Sequence, residues 1–278
     1  MIEGTCLALA FLLLIPNAKA GAFDHSEWQQ VLSAHVNELG EVDYAAIKRS
    51  PAPLESYLVR LAKASPQSHP DRFPSPDHEL AYWLNAYNAF TVKGVVDGYP
   101  AKSIRDLGFR FGFFRKKAFV AGGVTMSLDH IEHEIIRKQF GDPRIHFAIV
   151  CASISCPRLD RQAFRGETLD QHLDRLARRF MSERRNVTIT EGANEIRLSK
   201  IFDWFQDDFA RSSESRGKQA VLSFIREYAD DRLRSSIDRL RNPKVTYHDY
   251  DWSLNAPGSR ANAESGLERE LAAPGRTL

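Results

Sequence analysis

The stretch "HELAYWLNAYNAFTVKGVVDGYP", residues 78–100, constrains the fold more than any other. Leu80, Trp83, Leu84, Tyr87, Phe90 and Thr91 recur at intervals of three and four, which predicts one long helix closed by Gly98 and Pro100. Asn85 and Asn88 stand three apart on a face that is otherwise aromatic and apolar. An amide in such surroundings must find a partner, so each either ties a neighbouring backbone in place or takes part in chemistry.

Around this helix the pattern is helix-rich. Residues 24–36 and 43–62 have helical spacing, and the proline-rich stretch 65–76 is a loop. Residues 116–126 predict a hairpin around Gly122-Gly123, and Ser127 or Asp129 can cap a helix over 129–139. "RIHFAIVC", 144–151, is a short, nearly continuous apolar run of the kind a central strand needs. "GETLDQHLDRLARRFMSER" predicts another helix, and "NVTITEGANEIRLSKIF" a second hairpin on either side of Gly192. Helices near 217–229 and 231–240 lead into the strand-like "KVTYHDYDW". The expected class is α+β: a helix-rich single domain around a small, mainly antiparallel sheet, with a central buried strand near 145–151.

The ends of the chain read differently. "CLALAFLLLI", 6–15, is too short to span a bilayer but suits a secretory signal, and Ala18-Lys19-Ala20 supplies the small residues of a cleavage site. Residues 1–20 are therefore expected to be a signal peptide, which makes the protein periplasmic or secreted. Residues 21–255 are expected to form the globular domain. The tail 256–278 has no apolar face and is expected to be disordered. No later run of about 18 apolar residues predicts a membrane span. With 43% hydrophobic and 27% charged side chains the chain has ample material for a core. Its 38 basic and 36 acidic residues leave a net charge of +2, so nothing demands a nucleic acid as partner.

Beyond the signal only Cys151 and Cys156 remain, in "CASISCP". A disulfide closing so short a loop would add only about 2 kcal/mol. A domain of this size can be stable without it.

These segments together carry a resemblance. Val42-Asp43-Tyr44, Trp83-Leu84-Asn85-Ala86-Tyr87-Asn88, Tyr99-Pro100 with Ser103-Ile104, Ile131-Glu132-His133, Asp142-Pro143-Arg144-Ile145-His146-Phe147-Ala148, Ser155-Cys156-Pro157 and Tyr250-Asp251-Trp252-Ser253-Leu254-Asn255 follow one another in order. The chain thereby resembles the domain-of-unknown-function 547 family over nearly all of its length after the signal. Family members more often carry Gly after the first cysteine, a place held here by Ala152. The resemblance implies a family and no settled reaction.

Two classes of function compete. The first is a cysteine-dependent hydrolase or acyl transferase acting on a small-molecule or peptide carbonyl. Cys156 is its expected nucleophile, since it follows a buried run, stands beside Ser155 and precedes Pro157; a helix beginning soon after would lower its thiol pKa. His133, on the capped helix beside Glu132, is the expected proton acceptor, and Asn85 its orienting group. Asn88, Glu132, His146 and Ser155 complete the candidate set as binding residues. On a helix the adjacent side chains of Glu132 and His133 diverge by about 100° and do not touch. The second class is a non-enzymatic binding or assembly module in which Cys151 and Cys156 pair. In it the basic and aromatic stretch 109–119, read as a hairpin, meets a protein partner.

Neither class calls for a cofactor. His130 and His133 stand three apart, but no zinc-protease motif appears, so no metal is expected. No glycine-rich phosphate loop and no G-x-S-x-G elbow is present.

Overall fold

The computed structural model describes residues 21–108, 112–210 and 215–260. Its helices are α1 (Ser26–His35), α2 (Tyr44–Arg49), α3 (Ala52–Lys63), α4 (Pro76–Gly98), α5 (Gly112–Arg115), α6 (Leu128–His130), α7 (Leu169–Ser182), α8 (Lys200–Trp204), α9 (Gln206–Phe209), α10 (Gly217–Tyr228) and α11 (Asp231–Arg239). Strands β1 (Phe119–Ala121) and β2 (Val124–Met126) form a hairpin. Strands β3 (Val187–Thr190), β4 (Glu195–Leu198) and β5 (Lys244–Tyr247) form a second sheet. In it β3 and β4 are antiparallel and β5 runs parallel to β4. This is the expected helix-rich α+β class in one domain.

The long helix α4 is the axis of the fold. Pro76 sits in its first turn with Asp77 and Glu79, the residues a helix start favours. From Leu80 to Val92 every residue is buried. A helix covered on all faces lies in the centre, and α2, α3, α7 and the segment after α6 pack around it. The anticipated helix over 43–62 is instead two helices, because Ser50-Pro51 interrupts it and Pro51 opens α3.

The β1–β2 hairpin turns where expected, at Gly122 (φ 57°) and Gly123 (φ 82°). A side chain on Gly122 would meet Ser65 Oγ at 2.2 Å, since both glycine N–H groups donate to the end of α3, at Leu61 and Ala62. The hairpin anticipated over 109–119 is not seen among its described residues. Residues 109–111 lie outside the described residues, 112–115 make the helical turn α5, and pairing begins only at Phe119.

The strand expected at 145–151 is also absent. Asp142 accepts from Arg144 N at 2.8 Å and Pro143 follows it, a helix-start pair that folds Pro143–Phe147 into a 3₁₀ turn. Beyond it, Val150 N–H and Ala148 C=O bond to the Asn88 amide at 2.9 Å each, so no neighbouring strand is needed. The run is buried as its composition demands, but a side chain replaces the ladder.

The helix anticipated over 129–139 forms with an altered pitch. Ser127 caps α6, and Ile131–Phe140 continues as a π-helix ending at Gly141 in the left-handed conformation. Such wide turns occur often at functional sites.

Residues 1–20, expected to be the signal, and 261–278 lie outside the described residues. Residues 256–260, expected to be disordered, are fastened at two points: Arg260 is 1% exposed, and Glu41 accepts from the backbone N–H groups of Gly258 and Arg260. Low apolar content hid this, because the contact is made by backbone groups and one buried guanidinium.

Candidate functional site

Cys151, Cys156 and Pro157 form the floor of a cleft of about 400 Å³. One wall carries Asp129, Glu132 and His133; another carries Ile201, Trp204 and Phe205. Phe114 and Arg115 of α5, Tyr87 of α4, and Tyr250 and Trp252 close it. Trp204, Tyr250 and Trp252 pack together with ring centroids 4.5–5.8 Å apart, and Trp204 remains 46% exposed at the rim.

The C-terminal segment after β5 holds the cysteine loop. Ile154 N–H donates to Ser253 O, Asn255 N–H to Ala152 O, and Ser155 N–H to Asp251 O. Ser155 Oγ in turn accepts from Asp251 N–H at 2.9 Å. Ser155, expected among the binding residues, therefore fastens this strap and does not border the cleft. Ala152 is held at φ 63°, the left-handed region that a glycine would occupy without strain. From below, Arg185 and Arg260 donate to the carbonyls of Ile154 and Cys156, and Arg260 also to Pro157.

Cys156, expected as a free thiolate, is bonded to Cys151 in a disulfide. No helix starts soon after Pro157, so no helix terminus acts on the sulfur. Other donors do. Cys151 N–H points at Cys156 Sγ at 3.0 Å, Tyr250 Oη lies 3.2 Å from both sulfurs, and Ser153 Oγ lies 3.0 Å from Cys151 Sγ and 3.6 Å from Cys156 Sγ. Ser153 also donates to Tyr250 Oη at 3.3 Å. Burial raises the Tyr250 phenol to about 12, which keeps it a donor at neutral pH.

His133 and Glu132 both border the cleft, yet neither bonds to a sulfur. Arg137 Nη1 donates to His133 Nδ1 at 2.8 Å, and Asp129 Oδ1 lies 3.8 Å from His133 Nε2. Glu132 accepts from Tyr87 Oη at 3.0 Å. The expected Cys156–His133 hydrogen bond does not form.

His146 was expected to bind; it lines the cleft while 2% exposed. Its Nε2–H donates to Asp208 Oδ2 at 2.8 Å, and its ring stacks on Phe205 at 4.0 Å. Desolvation lowers its pKa against the pull of Asp208, so the ring is neutral at pH 7. Asp208 also accepts from Arg137 Nε at 2.6 Å, and its carboxyl is held well below the ordinary range by His146 and Arg137 against its own burial. His146 Nδ1 has no hydrogen-bond partner.

The two amides of α4 lie away from the cleft. Asn85 donates to Phe164 O at 2.8 Å and accepts from Phe164 N at 3.0 Å; Asn88 holds Ala148 and Val150 in the same two-sided manner. Asn85 thus bonds to no histidine, and Asn88 does not line the cleft. Both take the backbone-tying role that their apolar surroundings also allowed.

Asp208, Tyr250, Ser153, Arg185 and Arg260 were not singled out from the sequence. Tyr250 carried the best signal, standing in the terminal "YDWSLN" segment of the resemblance. Asp208 carried none, being 62 positions from His146.

The class defined here is an α+β domain whose aromatic cleft closes on a disulfide. A family model described as "Protein of unknown function, DUF547" matches residues 72–181, so over that stretch the chain is similar to this family, in line with the resemblance read from the sequence. The match includes α4, the π-helical wall and the cysteine loop, whereas Trp204, Tyr250 and Trp252 fall outside it. No curated protein and no solved structure matches the chain.

Proposed function

We propose that this is an exported thiol–disulfide exchange protein whose Cys151–Cys156 pair reacts with a substrate thiol in the aromatic cleft. The observation that carries the reading is the pair of donors aimed at Cys156 Sγ, Cys151 N–H and Tyr250 O–H. A disulfide sulfur is a weak acceptor, so these bonds strengthen only when the sulfur becomes a thiolate. They favour the reduced state, as a group that must leave and return requires. A disulfide bond also accords with the oxidising compartment to which a signal peptide would deliver the chain.

The geometry suggests the order of events. Cys151 is half-buried and Cys156 buried, so an incoming thiolate attacks Cys151 Sγ. The S–S electron pair leaves on Cys156, which Cys151 N–H and Tyr250 O–H receive. A second substrate thiolate then attacks the substrate sulfur of the mixed disulfide, forming the substrate disulfide and releasing Cys151 as thiolate. Two substrate thiols lose two electrons and two protons, and the protein becomes a dithiol. The test is the native mass of the protein after incubation with dithiol substrates. Gain of two protons with the fold intact supports the exchange; a disulfide inert in the folded protein overturns it and leaves the binding-module reading.

A second reading is favoured by one observation, the unpartnered Nδ1 of His146 with Asp208 orienting its other nitrogen. In the reduced protein this pair is arranged to take a proton, and Cys156 would attack a carbonyl to give a thioester. Incubating Cys151→Ser, which frees Cys156, with activated esters and thioesters tests it. A trapped acyl group on Cys156 that is lost in His146→Gln supports that chemistry; its absence rejects it.

A further inference from the structure

The cysteine loop rests on a group of buried charges. Arg158, Arg185 and Arg260 lie behind it, with Glu183 and Glu41. Glu183 pairs with both Arg158 and Arg185, at 2.5 Å each. Glu41, 2% exposed, accepts from backbone N–H groups of Gly258 and Arg260 and from the Asn37 amide. The Arg260 guanidinium is bonded only to the carbonyls of Ile154, Cys156 and Pro157, and its Nε has no partner. Among the described residues no carboxylate is bonded to the Arg260 guanidinium, which lies against the backbone of Cys156. A buried charge without a counter-ion is costly, and burial beside Arg185 indeed pulls the Arg260 pKa down to about 9.

Resting on the exchange reading above, we propose that the Cys156 thiolate is the missing counter-charge of Arg260. The pair is then an oxidant: reduction creates a negative charge beside a guanidinium that has no bonded carboxylate among the described residues, so electrons flow from substrate dithiols to this disulfide. The substrate class follows as a dithiol that leaves as a disulfide. Arg185 and Arg260 also act on the Tyr250 phenol, 3.2 Å from the sulfur, working with the Ser153 hydrogen bond against the upward pull of burial on its pKa. On the cleft side the other charged and titratable neighbours are Tyr87, Asp129, Glu132, His133, Arg115 and His146.

The experiment is the redox equilibrium of wild-type, Arg260→Gln, Arg260→Lys and Arg185→Gln proteins with glutathione, read by mass. Alkylation of the reduced proteins across pH 4–9 gives the Cys156 pKa. In Arg260→Gln the equilibrium constant for reduction falls about tenfold, which is about 30 mV, and the alkylation profile moves to higher pH. Arg260→Lys, which keeps the charge, stays within about threefold of wild type. A folded Arg260→Gln protein with an unchanged constant overturns the counter-charge. Should that variant fail to fold, Arg185→Gln carries the same expectation and an unchanged constant there overturns it equally. A wild-type disulfide that does not exchange with glutathione at all sinks the exchange reading itself, a separate outcome.

Discussion

The two amides of α4 and the polar groups around the cleft are buried in the same domain and behave in opposite ways. Asn85 and Asn88 each use both ends of the amide on one neighbouring loop. Around Cys156, donors converge on a sulfur that barely accepts, His146 keeps an unpartnered nitrogen, and Arg260 has no carboxylate on its guanidinium. A polar group with every partner in place stabilises the fold. One left wanting a partner marks where a ligand, a proton or an electron pair is to arrive.

The largest effect tests the closed side. Replacing Asn88 with Ala strands Ala148 O and Val150 N–H in the core, which costs about 3 kcal/mol. Urea unfolding of the oxidised protein measures it, and a loss below about 0.5 kcal/mol would place Asn88 outside the closed class.

Acid probes both sides at once. His25 is bonded to Tyr57 at 2.7 Å and pushed down to about 3 by burial, and burial also lowers His146. Below about pH 6.5 the unfolded chain takes up these protons and the folded one does not, so stability falls as pH falls. Each histidine contributes up to about 1.4 kcal/mol per pH unit, from about 6.5 down to its folded pKa. Asp208 adds to this only below the ordinary carboxylate range, where its depressed folded pKa makes protonation destabilising. The unfolding midpoint measured from pH 7 to 4 should decline, more shallowly in His25→Gln. A flat profile would mean that neither ring is held neutral.

The open side responds to Tyr250→Phe. Deleting that hydroxyl removes a donor to the thiolate and makes the disulfide about tenfold harder to reduce, while the oxidised protein loses less than about 1 kcal/mol. Equal effects on redox constant and stability would make Tyr250 a structural group. The smallest effect is on the backbone: Ala152→Gly relieves a left-handed alanine and raises stability by about 0.5–1 kcal/mol, read as a higher thermal midpoint.

What the sequence revealed follows the range of the interactions. α4 was legible because its apolar residues recur at three and four, and the β1–β2 turn because only glycines take two positive φ angles cheaply. The class was legible from the alternation of such segments. The run at 145–151 misled because Asp142-Pro143 starts a turn and a distant amide, Asn88, satisfies the backbone after it. The π pitch of 131–140 could not be read, since helical spacing of apolar residues does not resolve a slightly wider turn. Cys156, His133, Glu132 and His146 do meet in one cleft. Their partners Tyr250 and Asp208 come from 94 and 62 positions away, and nothing local announces them.

The central claim is that the Cys151–Cys156 disulfide opens and closes within the native fold. Equilibrating the protein across glutathione buffers and reading its mass, with circular dichroism as the check on folding, tests this most directly. The account predicts reversible two-electron reduction at a potential above roughly −250 mV, in the range of oxidising exchange proteins. A disulfide that resists reduction to below about −300 mV, or opens only as the protein unfolds, is a structural staple and contradicts it.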